Sequence, residues 1–366
     1  MPYIRLLKSD YTYAELSTSL SPSIEKALEE RQAPCTLIVN FFSADSITVG
    51  VLEDPEKSLN LDFCREKGIL VRRRQNPGGA VFANEGSAMI CLYLDLDKPW
   101  VSFQNIREAF PFYLERMSLA INAVFGLDTR YRPVNDIEVR GRKLIATSAR
   151  LENRVLTLRS VINVVPADRD VMCEAIIARP EKFQDKTCKN GGSRFTCFQE
   201  ELGRLIQKSE IEEMVIRTMR DVFGSDTEIV EGELSPLEMN YLNAYQQKFS
   251  SEQWYYANSE RVRFANASPS AKKIEAFHKA PAGLMGIVLL VHEGVVHDVI
   301  LLADFHPSPF SVMNHIENAL RGQPLDTDTL VNSIKQQLDI PGVEIPGTEL
   351  SDFAALLDKA FKQVEG

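Results

Sequence analysis

Two arginines run straight into a glycine pair at the end of an apolar strand: Arg73-Arg74-Gln75-Asn76-Pro77-Gly78-Gly79-Ala80-Val81-Phe82 follows Ile69-Leu70-Val71. Paired glycines let backbone N–H groups approach an oxyanion closely, and the arginines bring charge to the same place. Downstream, Asn135-Asp136 and Gly141-Arg142-Lys143 put a carboxylate and a lone lysine on either side of a tight turn. Such segments constrain the chain to a sheet-based fold in which a loop and a strand-borne ammonium converge. A site of that kind holds a phosphate against a carboxylate.

The 366 residues are 44% hydrophobic and 25% charged, ordinary for a globular protein and enough for two domains. A net charge of -10 argues against nucleic-acid binding and makes the basic run Arg72-Arg73-Arg74 stand out. Met1 to Lys8 lacks the apolar core of a signal peptide, and no apolar run reaches transmembrane length. The expectation is a soluble cytoplasmic protein without a membrane segment. Six cysteines (35, 64, 91, 173, 188 and 197) lack paired metal-ligand spacing and read as reduced thiols. All five histidines (278, 292, 297, 306 and 315) lie in the last quarter of the chain. Chemistry at the two motifs is therefore expected to use Lys, Arg, Asp, backbone amides and any bound metal rather than imidazole.

Hydrophobic patterning predicts a helix opening at Ser21-Pro22, strands at 36–42 and 46–51 joined by a polar turn, and a strand at 69–72 leading into the glycine loop. A strand at 88–94, a helix at 103–125 ending at Gly126, and a meander over 136–139, 143–151 and 155–165 follow. Helices are expected near 169–177, 208–223 and 237–249, with a polar loop at 180–193. Trp254-Tyr255-Tyr256 reads as a strand before a hinge at 257–259. Strands at 284–292 and 295–304 and helices at 309–320, 328–338 and 349–364 complete the chain. The fold class is α+β: a large domain, 1–256, with a mixed or antiparallel β-sheet flanked by helices, then a small α+β domain at 260–366.

Attack of a carboxylate on the α-phosphate of ATP gathers negative charge at phosphorus. A fixed ammonium and aimed N–H donors lower that barrier, each worth about 3 to 4 kcal/mol. Lys143 suits the role, and Arg73 could hold the triphosphate or the carboxylate, since its fork matches oxyanions. Taken singly, Gly78-Gly79 reads equally as a strand-to-strand turn, Asn135-Asp136 as turn residues, and Lys143 as a solvated hairpin lysine. Their order and spacing favour the joint reading.

The stretch from Arg73 to Phe82 resembles the arginine-arginine, glycine-triplet, alanine-valine signature of lipoate–protein ligases. Asn135-Asp136 and Gly141-Arg142-Lys143 resemble that family's next motifs. Ala44-Asp45-Ser46-Ile47-Thr48-Val49-Gly50 and Ser193-Arg194-Phe195-Thr196 extend the likeness. The C-terminal part, with Trp254 and the strand pair before Asp304-Phe305, is similar to the accessory domain of bacterial members. The resemblance implies formation of lipoyl-AMP from lipoate and ATP with Mg2+, then transfer to a lysine of an apo lipoyl-acceptor protein. That acceptor would be a dehydrogenase lipoyl domain, a glycine-cleavage H protein or a specialised lipoate-binding protein. It also implies a monomer whose small domain acts as a lid.

Carried over, Lys143 and Asp136 are the catalytic candidates, with Asp136 also the candidate metal ligand. Arg73, Arg74, Gln75, Gly78, Gly79, Ala80, Phe82, Asn135, Lys143, Ser148 and Arg194 are the candidates for binding the lipoyl-adenylate or ATP. Several positions depart from the pattern. Pro77 replaces the first glycine, Ala83-Asn84 stands for His-Asp, and Leu144-Ile145-Ala146-Thr147-Ser148 is bulkier than usual. Val51-Leu52-Glu53-Asp54 lacks the familiar arginine and glutamine. The related octanoyl transferases use a cysteine shortly before the motif lysine, and 131–136 contains none. A non-catalytic acceptor-binding relative and biotin ligase are the remaining alternatives.

Overall fold

Residues 1–177 and 195–362 are described in a computed structural model. Their strands are β1 (Tyr3–Asp10), β2 (Thr36–Phe41), β3 (Ser46–Val49), β4 (Leu70–Arg73), β5 (Val81–Ala83), β6 (Ala88–Asp95) and β7 (Thr129–Arg132). They continue as β8 (Asp136–Val139), β9 (Arg142–Glu152), β10 (Val155–Ile162), β11 (Glu228–Glu231), β12 (Lys272–Ala280), β13 (Gly283–His292) and β14 (Val295–Ala303). A large mixed sheet runs in the order β11-β1-β2-β6-β10-β9-β8-β7. It is parallel between β11, β1 and β2 and antiparallel from β2 onward. Two three-stranded sheets, β4-β3-β5 and β12-β13-β14, complete the set.

One face of the large sheet buries Ile90, Leu92 and Leu94 of β6 and Leu156 and Leu158 of β10 beneath two helices, Ile106–Phe125 and Lys208–Phe223. Each such side chain contributes about 1.5–3 kcal/mol on leaving water. Asn105 caps the first helix, its side chain accepting from the Glu108 N–H, and Gly126 ends it in the left-handed region at φ 68. Met89, Cys91 and Tyr93 of β6 point to the opposite face, against the helical stretch that begins at Tyr13.

That helix starts earlier than Ser21-Pro22 predicts. Thr12 is its cap: the Glu15 N–H donates to Thr12 Oγ1 at 3.1 Å and the Thr12 N–H to Glu15 Oε2 at 3.1 Å. Ser21 sits inside the helical run, fully buried. Pro22 lacks the N–H that would continue the ladder, and the π-helical turn Leu16–Leu20 lies immediately before it.

The predicted neighbours β2 and β3 part company. β2 is buried on both faces inside the large sheet, whereas β3 pairs in parallel with β4 and antiparallel with β5, bringing the glycine loop between them. Trp254-Tyr255-Tyr256 is not a strand. Glu252–Tyr255 is a helical turn capped by Ser251, whose Oγ accepts from the Trp254 N–H. The predicted loop at 180–193 lies outside the described residues.

In the C-terminal part, helices Val312–Leu320, Thr327–Leu338 and Leu350–Lys362 cover β12-β13-β14. Its core also takes in Val51 and Leu52 from the N-terminal part. The 257–259 segment is bonded to the same loop. Asn258 Nδ2 donates to the Val51 carbonyl at 3.0 Å, and Ser259 Oγ donates to Asp54 Oδ1 at 2.7 Å. Lys57 pairs with both Glu260 and Glu275.

β1 is fixed to helix Pro236–Phe249 by a buried pair, Arg5 with Glu238, Nη1 to Oε2 being 2.8 Å. Arg5 also donates to Thr36 Oγ1 at 3.0 Å and to the Glu233 carbonyl at 3.0 Å. Removing one member strands a buried charge. Glu238→Ala is expected to lower unfolding free energy by about 3 to 5 kcal/mol in urea denaturation.

Candidate active site

The glycine loop between β4 and β5, the β8–β9 hairpin, strand β10 and the edge of the C-terminal sheet enclose one cavity of about 750 Å³. Gly78, Gly79, Ala80 and Phe82 line it from the loop, and Asn135, Asp136, Lys143 and Ser148 from the hairpin. With Arg74, which also lines it, nine of the candidate residues are thus brought together. Gln75 does not line the cavity, and Arg194 lies outside the described residues.

The arginines serve the loop more than the cavity. Arg74 is 1% exposed, yet its fork is consumed by backbone: Nη1 donates to the Thr48 carbonyl at 2.9 Å, and Nη2 to the carbonyls of Pro77 at 3.0 Å and Gly79 at 2.9 Å. Arg73 does not line the cavity. Its guanidinium donates to the carbonyls of Val51 and Trp254 and lies 4.8 Å from the Trp254 ring centre. The indole Nε1–H donates back to the Arg73 carbonyl at 2.8 Å. Burial pulls the Arg73 pKa down to about 9. Arg73 therefore anchors the segment leading to the C-terminal part, instead of presenting its fork to an oxyanion in the cavity.

Gly78 takes φ +99, and a side chain there would meet Arg74 Nη2 at 3.0 Å. Gly50 packs directly on the loop: a Cβ added to it would fall 1.9 Å from the Gly78 carbonyl oxygen.

On the hairpin, Lys143 Nζ stands 2.7 Å from Asp136 Oδ2 and 5.9 Å from the Phe195 ring centre. Asp136 is 7% exposed, and its Oδ1 has no hydrogen-bond partner among the described residues. Asn135 Nδ2 donates to the Thr147 carbonyl at 2.5 Å, locking the turn to β9. Arg140 and Arg142 both pair with Glu201, which leaves Lys143 as the hairpin cation facing the cavity.

Among the cavity residues that escaped the sequence reading are His306 and Arg159. His306 belongs to the C-terminal part, yet lies 3.4 Å by its Cε1 from where a Gly78 side chain would be. The expectation that histidines stand away from the motifs is corrected here: folding returns the last quarter of the chain to the loop. Burial, reinforced by Arg74, holds the imidazole at about 4, so it is neutral at physiological pH. The second is Arg159 on β10, buried beside Tyr93. Its strand is buried throughout, so alternation gave no hint that a charge was enclosed.

Two of the described cysteines line the cavity, and Cys173, partly buried, stands on helix Arg169–Ala175. Cys197 lines the cavity, but its thiol is buried, burial pushes its pKa up, and its Sγ accepts from the Glu200 N–H. Among the described residues, no group of three or more His, Cys, Asp or Glu could hold a metal, and no helix is long and apolar enough to cross a membrane.

Residues 19–220 match the lipoyl protein ligase A/B catalytic domain. The chain belongs to that family. It is accordingly an enzyme of the lipoate–protein ligase type. Lipoate–protein ligase 1 of Staphylococcus aureus is 25% identical over 82% of this chain and 86% of its own length. Lipoate-protein ligase LplJ of Bacillus subtilis is 23% identical over 81% and 83% respectively. In fold, the chain is similar to P. falciparum LipL1, solved in complex with lipoate, with a TM-score of 0.71 at 13% identity over 96% of this chain and 98% of that one. It is similar also to lipoate-protein ligase A bound with ATP, with a TM-score of 0.56 at 17% identity over 70% and 98%. The bipartite ligase of Thermoplasma acidophilum, studied with its E2 lipoyl domain, gives 0.59 at 19% identity over 70% and 97%.

Two outcomes are expected for this ligase-family site. Gly50→Ala forces the Gly78 carbonyl aside and is expected to cut ligase turnover on the order of 100-fold while the circular dichroism spectrum stays native. Because His306 has a lowered pKa in the folded state, the unfolded chain takes up its proton first as pH falls. Stability from this group is complete above pH 6.5 and is lost as pH drops toward 4. His306→Asn is expected to reduce the loss of stability between pH 7 and pH 5 by about 2 kcal/mol in urea titrations at the two values.

Proposed function

We propose that the chain activates lipoate with ATP to lipoyl-AMP and transfers the lipoyl group to a lysine of an apo lipoyl-acceptor protein. The observation that carries this reading is the Lys143–Asp136 pair, 2.7 Å apart and facing the glycine loop across one cavity. The relatives and neighbours named above support lipoate and ATP as substrates and a lipoyl domain as the acceptor class.

In the first step the lipoate carboxylate attacks the α-phosphorus, and the bond to pyrophosphate breaks. Lys143 leaves Asp136 to neutralise charge on the phosphoryl and acyl oxygens, while N–H groups of the 78–80 loop hold the nucleotide. A single carboxylate with an unpartnered buried oxygen, such as Asp136, suits a magnesium ion that takes its other ligands from phosphate and water. When bound, that ion would screen phosphate charge. In the second step the acceptor lysine attacks the acyl carbonyl and AMP departs. In this reading Asp136 receives the incoming amine and accepts its proton.

The 260–366 part serves in this proposal as a cover that keeps water from the anhydride, with 257–259 as the region about which it adjusts. His306 and the Trp254–Arg73 clasp support close coupling of cover and loop. Acceptor candidates are an oxoacid dehydrogenase subunit, a glycine-cleavage H protein or a specialised lipoate-binding carrier. Incubation with ATP, lipoate and each purified apo-acceptor, read by intact mass and pyrophosphate release, tests the reading. Lys143→Ala is expected to stay folded and lose adenylate formation by at least about 100-fold. Undiminished pyrophosphate release in that variant would discard the mechanism.

A further inference from the structure

The cavity is lined at one end by Lys143 and elsewhere by the buried guanidinium of Arg159. On β9, Ser148 lies five residues beyond Lys143 and pairs with Arg159, a separation of roughly 16 Å at strand rise. Ala80, Val81, Phe82, Ala146 and Val161 line the cavity with apolar side chains. This is a slot with an ammonium at its reacting end, hydrocarbon along its length and a charge at depth.

Arg159 is held tightly and incompletely. Nη2 donates to Glu25 Oε1 at 2.6 Å and Nε to Ser21 Oγ at 3.1 Å. Glu25 also accepts from Arg150 Nη1 at 3.1 Å and from Thr157 Oγ1 at 2.8 Å, so two arginines share one carboxylate. Burial opposes ionisation of Glu25, but Arg159 and Arg150 keep its pKa below the usual carboxylate range. Arg159 is 2% exposed, and its Nη1 has no partner among the described residues. A buried N–H left unpaired is costly, and a ligand that offers it an acceptor is favoured over one that presses a methyl group against it.

We infer that Arg159 is a specificity-determining residue that reads the far end of the acyl chain. The slot takes acids ending in a hydrogen-bond acceptor or polarisable sulphur, as the lipoate ring does, in preference to plain fatty acids of equal length. This rests on the proposed acyl-activating role only in placing the carboxyl end near Lys143.

The test is calorimetric binding of lipoate, octanoate and ω-hydroxyoctanoate to the full chain and to Arg159→Met, with ATP-dependent pyrophosphate release measured in parallel. For the natural chain, lipoate and ω-hydroxyoctanoate are expected to bind at least about tenfold more tightly than octanoate. Arg159→Met is expected to bring octanoate to within about threefold of lipoate by tightening octanoate, a gain that a damaged fold cannot produce. Equal affinity of the natural chain for lipoate and octanoate overturns the inference, whether or not the variant folds. So does an unchanged ratio in the variant. Discrimination in binding without pyrophosphate release leaves the inference standing and removes the adenylating reaction instead.

Discussion

A guanidinium enclosed by protein, that of Arg74, gives the glycine loop its shape. Its donors go to carbonyls on β3 and at both ends of the Pro77-to-Gly79 turn, so the loop is tied to the sheet by bonds that water cannot replace. This explains why Pro77 is tolerated in a glycine-rich loop. What Arg74 uses at that residue is the carbonyl, which proline retains, and not the N–H it lacks. Gly50 then packs on the outside of the turn at a distance that admits no side chain. A buried cation thus organises the loop, and a loop held in this way keeps its remaining N–H groups aimed.

The same economy of position couples the two parts of the chain. Arg73 is adjacent to Arg74 but alternates to the other side, where it grips Trp254 and the Val51 carbonyl. Val51 and Leu52 enter the C-terminal core, and His306 returns from that core to Gly78. Consecutive arginines thus hold the loop from within and the C-terminal connection from behind. The loop and the C-terminal part meet through contacts of a few ångström.

Much of this was legible beforehand and some was not. The 136–165 meander, the helices at 106–125 and 208–223, and the convergence of Lys143 with the loop followed from alternation, capping and spacing. β12 escaped because Lys272, Lys273, Glu275 and Lys279 obscure its alternation, and their partners come from remote segments. Trp254 reads as a strand residue by propensity, but the Ser251 cap and the Arg73 clasp made it helical. The roles of Arg73 and Arg74 could not be read from type alone: an arginine beside a glycine loop looks the same whether it meets phosphate or backbone. His306 and Arg159 gave no local signal, since both are defined by contacts more than a hundred residues away.

The distribution of charge gives the cavity its logic. The chain as a whole is acidic, at -10, and the cavity sets Lys57, Arg74, Arg132, Lys143, Arg159, Arg169 and Lys279 among Glu53, Asp54, Asp136, Glu138, Glu200 and Asp304. Much of that positive charge is committed to protein partners: Arg74 to carbonyls, Lys57 to Glu260 and Glu275, Arg132 to Glu138 and Arg169 to Glu200. Lys143 keeps capacity toward a ligand through a partner it can exchange, and Arg159 through Nη1. A ligand lying between them is therefore held by polar contacts at its two ends and by hydrocarbon in its middle, which is the pattern an acid with a long apolar arm requires.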